Sequence, residues 1–177
     1  MYFSYMKALF LIGLVLLATS LVAQKRVVYG IGGGVMDASV TIDEYKSTDG
    51  YACHLFMDLY TSEVGLIRFM GGFIDRGFSY TNQEVSIRET DRHANVVVLK
   101  GWDIPTSEKC HPLILIGPSY DFHKGNPLHF SANLQFLCAW KHFEVGADLQ
   151  KSINNASGSD DSEFKYQNLG LRMNVKF

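Results

Sequence analysis

The run that decides the fold is the last one, Leu169-Gly170-Leu171-Arg172-Met173-Asn174-Val175-Lys176-Phe177, in which every odd position is apolar and every even position is polar or glycine. Successive side chains of a strand point to opposite faces. The run therefore reads as a β-strand with one apolar and one polar surface, and the fold depends on which surface meets water.

Seven more segments of this kind precede it, separated by polar, turn-rich stretches. "VVYGIGGGVMDASV" from Val27 sets Val27, Tyr29, Ile31 and Val35 against Gly30, Gly32 and Gly34. "YACHLFMDLY" sets Tyr51, Cys53, Leu55, Met57 and Leu59 against His54, Phe56, Asp58 and Tyr60. In "GLIRFMGGFIDRGFSY", Ile67, Phe69 and Phe73 oppose Arg68, Met70 and Gly72. "NVVVLKGW", from Asn95, is too uniformly apolar for its facing to be read. "PLILIGPSYDF" turns Ile114, Ile116, Tyr120 and Phe122 away from Gly117, Ser119 and Asp121. In "PLHFSANLQFLCAW", Leu128, Phe130, Ala132, Leu134 and Phe136 oppose His129, Ser131, Asn133 and Gln135. In "HFEVGADLQKS", Phe143, Val145, Ala147 and Leu149 oppose Glu144, Gly146, Asp148 and Gln150.

An even number of strands joined by alternating short and long connections predicts an all-β protein, an eight-stranded antiparallel up-and-down transmembrane β-barrel. The connections at Thr61–Glu63 and Lys141 are short, while Thr41–Gly50, Thr81–Asn95 and Asn154–Glu163 are long and polar. Asp103–His111 is a longer turn on the short side.

Composition agrees. A chain of 177 residues, 47% hydrophobic and 13% aromatic, suits one folded domain. The formal charge of −2, from 16 basic and 18 acidic residues, leaves no basic footprint for nucleic acid. "MKALFLIGLVLLATSLVAQ" has a basic start at Lys7, an apolar run from Ala8 to Leu17 and small residues up to Ala23. It reads as a signal peptide over 1–23, cleaved ahead of a barrel domain over 24–177. The apolar run is short for a membrane-spanning helix.

Two barrels fit the alternation. A secreted, soluble, lipocalin-like barrel that binds a small ligand would bury the apolar face and show Arg68, Glu144, Asp148, Arg172 and Lys176 to solvent. A membrane barrel would reverse this. The apolar faces are tall and aromatic, and Trp102, Trp140, Tyr29, Phe143 and Tyr60 gather at one level beside Phe177, as membrane interfaces favour. The apolar face is therefore read as lipid-facing, with Asp58, Arg68, Glu144, Asp148, Arg172 and Lys176 as paired charges in a lumen filled by side chains.

The order of "NVVVLKGWDIPTSEKCHPLILIGPSYDF", "LHFSANLQFLCAWKHFEVGADLQKSI" and "YQNLGLRMNVKF" resembles the outer-membrane protein beta-barrel domain of Gram-negative bacteria, a group that includes PorT-like proteins and small OmpA/OmpX-type barrels. The resemblance implies an outer-membrane location with both termini periplasmic, in contact with outer-membrane lipid and lipopolysaccharide. It also implies that the final strand is an assembly signal carried by Tyr166, Leu169, Leu171, Met173, Val175 and Phe177 and recognised by the barrel-assembly machinery. An extracellular or periplasmic protein partner is left unnamed.

Chemistry is sparse. "GIGGGV" lacks the G-x-G-x-x-G spacing at Val35 and reads as glycine packing inside a barrel. The six histidines form no metal spacing, and no cofactor is called for. His129, Ser131 and Glu144 share the polar phase and look a little like the residues of outer-membrane lipid A acyl hydrolases. Those enzymes work on the lipid side, whereas this phase is luminal, so the non-enzymatic reading is preferred. Among the three cysteines, Cys110 and Cys138 fall opposite each other if their hairpin centres near Lys124, and Cys53 lies apart near the outer end of its strand. Three unpaired thiols are the alternative.

Overall fold

The computed structural model describes residues 26–40, 45–82, 85–106, 110–122, 129–153, 156–157 and 163–177. The expected signal peptide, the site of its cleavage and the apex of the Lys124 hairpin lie outside them. The strands are β1 (Arg26–Val40), β2 (Tyr45–Tyr60), β3 (Gly65–Asn82), β4 (Val85–Asp103), β5 (His111–Phe122), β6 (His129–Ala139), β7 (Phe143–Ser152), the two-residue β8 (Ala156–Ser157) and β9 (Glu163–Phe164), and β10 (Tyr166–Lys176).

Eight of them close into one antiparallel barrel in the order β1-β10-β7-β6-β5-β4-β3-β2, while β8 and β9 pair only with each other. Closure is made by the terminal strand, which runs against β1 from Gly30↔Lys176 to Val40↔Tyr166. The chain end is tied on both sides, since Phe177 N donates to Tyr29 O at 2.9 Å and Lys176 N to His142 O at 2.8 Å. No barrel edge is left open between first and last strands.

The apolar faces point outward. Leu171 is 65% exposed while its neighbours Arg172 and Gly170 turn inward, and Phe136 is 52% exposed beside a fully buried Gln135. The soluble, lipocalin-like arrangement is thereby overturned. β4, unreadable from sequence, follows the same rule: His93, Asn95, Val97 and Leu99 are buried and Val96, Val98 and Trp102 are exposed. The interior is narrow. A Cβ on Gly30 would lie 2.2 Å from Phe56 Cζ and 2.4 Å from Val175 O, and one on Gly32 would lie 2.0 Å from Asn174 Oδ1.

Several expectations need correction. Thr41–Gly50 and Thr81–Asn95 are largely strand, because β2 begins at Tyr45, β3 reaches Asn82 and β4 begins at Val85. Beyond the apolar band both faces of a strand are polar, so alternation no longer marks it. β4 pairs with β3 out to Val85 but with β5 only to Ala94, so β2–β4 stand out past the rim formed by the other described strands. Leu59, on the outward phase, is nevertheless only 1% exposed, between Val27 and Ile67. The β5–β6 register sets Pro112, rather than Cys110, opposite Cys138. Cys110 reaches Cys138 from just before β5; their Cα atoms are 6.1 Å apart and their sulfurs form a disulfide. Cys53 is free and exposed, near mid-strand rather than at the strand's end, because β2 is longer than expected.

Candidate functional site

The lumen holds polar contacts at three levels. In the layer nearer the chain termini, Arg68 on β3 is fully buried and donates through Nε and Nη2 to Asp58 at 2.6 and 2.7 Å, and through Nη1 and Nη2 to Glu144 at 2.8 Å each. Both pairs have the forked geometry that makes arginine–carboxylate contacts strong. Glu144 also accepts from Asn174 Nδ2 at 2.8 Å and lies 3.4 Å from Lys176 Nζ. The Arg68 guanidinium stacks 4.3 Å from the Phe56 ring centroid, a position that suits a desolvated cation.

One step further in, Arg172 binds Asp148, with Nε at 3.1 Å from Oδ2, and its Nη1 meets His54 at 3.1 Å. His54 Nε2 also lies 3.0 Å from Asn174 Oδ1. An Nε2–H tautomer satisfies both neighbours, donating to Asn174 and accepting from Arg172 at Nδ1. Asp58, Arg68, Glu144, Asp148, Arg172 and Lys176 thus share one lumen.

The outer layer was not foreseen as a cluster. Arg76 Nη2 donates to Asp121 Oδ2 at 2.6 Å and to Gln150 Oε1 at 3.1 Å, and Asn95 donates to the other oxygen of Asp121. Gln150 Nε2 reaches Ser119 Oγ at 3.1 Å. The signal was present in sequence, since Arg76 and Asp121 keep the inward parity of Arg68 and Ser119. Opposite the charges, Leu66, Val97, Leu99, Leu113, Leu115 and Leu137 form a buried apolar cluster that fills the remaining side of the barrel.

Outside, near the termini, Tyr29, Trp102, Trp140, Phe143 and Phe177 are exposed. Tyr60 does not join them: it is 8% exposed and donates to Asp103 Oδ2 at 3.0 Å inside the barrel. Tyr166 likewise leaves the face of Leu169, Leu171 and Met173. Its even number gives it the inward phase, and Arg76 stacks 4.8 Å from its ring centroid. Val175 is half-buried on the outward phase, between Ile31 and Phe143.

The triad arrangement does not form. In the β6–β7 register Glu144 faces Ala139, while Ser131 faces Ser152. Eight residues at about 3.4 Å each separate the carboxylate from the serine level by roughly 27 Å, and Glu144 is occupied by Arg68. His129 and Ser131 are buried within the lumen. Among the described residues no group of three or more His, Cys, Asp and Glu could hold a metal ion.

No protein-family model matches the chain, and no curated protein sequence matches it. Solved structures do. The attachment invasion locus protein Ail of Yersinia pestis is similar at 13% identity with a TM-score of 0.50, covering 85% of this chain and 98% of that one. The outer membrane protein OprG of Pseudomonas aeruginosa is similar at 11% identity and 0.51, covering 85% and 95%. Neisserial surface protein A is similar at 11% identity and 0.51, covering 85% and 97%. At these identities the likeness is one of fold: the chain has the closed barrel architecture found in small outer-membrane proteins.

Proposed function

We propose that the chain is a non-enzymatic integral protein of the Gram-negative outer membrane, with a lumen closed by side chains, that acts through its outer surface in surface interaction or in the structure of the envelope. The observation that carries this reading is the inverted barrel. Arg68, Glu144 and Asn174 are fully buried inside, while Leu55, Leu171 and Met173 are each at least 61% exposed outside. Water would penalise that apolar wall, and hydrocarbon would not.

Within this reading residues 1–23 are a cleaved signal peptide, both termini are periplasmic, and the tight turns at Thr61–Val64 and Trp140–His142 lie on that side. The β2–β4 extension then faces outward. Tyr29, Trp102, Trp140 and Phe143 form the inner-interface girdle. Leu169, Leu171, Met173, Val175 and Phe177 present the assembly signal to the barrel-assembly machinery, and the surroundings are outer-membrane lipid and lipopolysaccharide. The order of motifs further favours a PorT-like relationship. Cell fractionation with a heat-modifiability gel tests the proposal. An outer-membrane band that shifts on boiling is expected, and a protein found in the soluble periplasm or the medium would refute it.

A further inference from the structure

On the outer wall of β2–β4 small side chains stand on either side of Phe73. Gly33, Cys53, Phe73 and Ala94 form one cross-strand row, and Gly71 sits between Leu55 and Val96 in the row beneath. A Cβ on Gly71 would meet nothing within 4 Å, so the wall is recessed there. Tyr51, Phe73 and Leu55, each at least 58% exposed, stand beside the recess. The row above is Tyr51, Asp75 and Arg92, and a groove lined by Tyr51, Ala52, Cys53, Phe73, Asp75 and Arg92 joins the two levels.

Arg92 is held in place at the head of this groove. Its Nε and Nη2 both donate to Asp75 Oδ2, at 3.2 and 2.9 Å, while its side chain is 75% exposed and that of Asp75 only 21%. Asp75 uses two of five guanidinium N–H donors, and the fork geometry of the rest suits a phosphate. Four residues further along β3 the register sets Lys46 and Arg88 on either side of Ser79. At about 3.3 Å per residue these positions lie roughly 13 Å beyond the Asp75 row. A recessed apolar strip ending in a fixed cation, with further basic positions beyond, matches an amphiphile with acyl chains and more than one anionic group on its head.

We infer that this groove binds one molecule of lipopolysaccharide through its phosphorylated lipid anchor, with an acyl chain over Cys53, Gly71 and Ala94 and a phosphate on Arg92. The inference rests on the outer-membrane reading above, which makes this end of the barrel the outer-leaflet end. A glycerophospholipid carries the same phosphate and acyl chemistry but a smaller head, and it is the competitor in the test.

Cys53 is a built-in reporter, because it is the free cysteine among the described residues and lies in the groove. The full chain, purified in detergent, is treated with N-ethylmaleimide in the presence of lipid A, of phosphatidylglycerol at equal mole fraction, or of neither. Lipid A is expected to slow alkylation of Cys53 by about fivefold or more, and phosphatidylglycerol by less than about twofold. Arg92→Glu should abolish the lipid A effect, as should Gly71→Leu, which fills the recess and leaves the ion pair intact. Equal protection by the two lipids, no protection by lipid A, or protection that survives both substitutions would overturn the inference. A heat-modifiability gel on each sample separates the two levels of failure. A barrel that shifts normally without selective protection sinks only the lipid site, whereas a parent protein that never shifts sinks the outer-membrane reading as well.

Discussion

Replacing Arg68 by Met removes the guanidinium that bridges two buried carboxylates. Arg68 contributes four N–H donations of 2.6 to 2.8 Å to Asp58 and Glu144, and all three side chains are fully buried. Removing one partner of a buried ion pair costs about 3–5 kcal/mol, because the other charge stays behind without compensation. Lys176 remains 3.4 Å from Glu144 and offsets part of this, so the lower end, about 3 kcal/mol, is expected. With a urea dependence of about 2 kcal/mol/M, the midpoint falls by about 1.5 M. The assay is a urea titration in detergent, followed both by heat-modifiable mobility and by tryptophan fluorescence. A triple variant, Arg68→Met with Asp58→Asn and Glu144→Gln, keeps the volume but removes the stranded charge and should recover more than half of the loss. A single variant within about 0.3 M of the parent, or a triple variant no better than the single, would refute the luminal charge assignment.

Leu171→Arg, at mid-length of β10 on the exposed wall, should cost about 2–4 kcal/mol of barrel stability in lipid vesicles, and an unchanged unfolding midpoint there would mean that this face does not meet hydrocarbon. Gly30→Ala should destabilise by about 1–3 kcal/mol by overpacking, since its Cβ would press on the Phe56 ring and on Val175 O. Gly71→Ala, with open space around its Cβ, should be neutral or stabilising by up to about 1 kcal/mol; thermal melts in detergent that rank the two glycines equally would contradict the packing described for the lumen. Deleting Phe177 should lower surface levels in cells while changing the refolded barrel little, because the residue is 78% exposed, and quantitative blotting of outer membranes against refolding yield checks the split.

Facing was legible wherever a strand crosses the apolar band, because a period of two encodes it directly: the parity that separates Phe136 from Gln135 also separates Leu171 from Arg172. The same parity would have moved Tyr60 and Tyr166 inside, since both are even-numbered on strands whose odd residues face out. Strand length at the outer end was not legible. From Val85 to Arg92 the residues are mostly polar on both phases, so the ladder that pairs them with β3 leaves no hydrophobic trace. Nor was the choice of partners across the lumen, because Arg68 and Glu144 meet only after closure, 76 residues apart in sequence. The Cys110–Cys138 contact shows the intermediate case. A hairpin centred near Lys124 set the two cysteines opposite each other, but the ladder puts Pro112 opposite Cys138, and the bridge is made diagonally by Cys110, two residues before it.

In the closed ring β3 and β7 stand four strands apart, on opposite walls of an eight-stranded barrel. Arg68–Glu144 and Arg76–Gln150 therefore each cross the full diameter, at two different depths. The side of the lumen that they leave free is occupied by Leu99, Leu113, Leu115 and Leu137. Opening a path past the first level would break the four charge-assisted bonds on Arg68, each worth about 1.5–3 kcal/mol. Among the described residues, His129 and Ser131 are buried and Glu144 is held by Arg68. The features that stand exposed among the described residues are the apolar outer wall, the groove below Arg92, and the β2–β4 strands that rise beyond the last β4–β5 pair at Ala94.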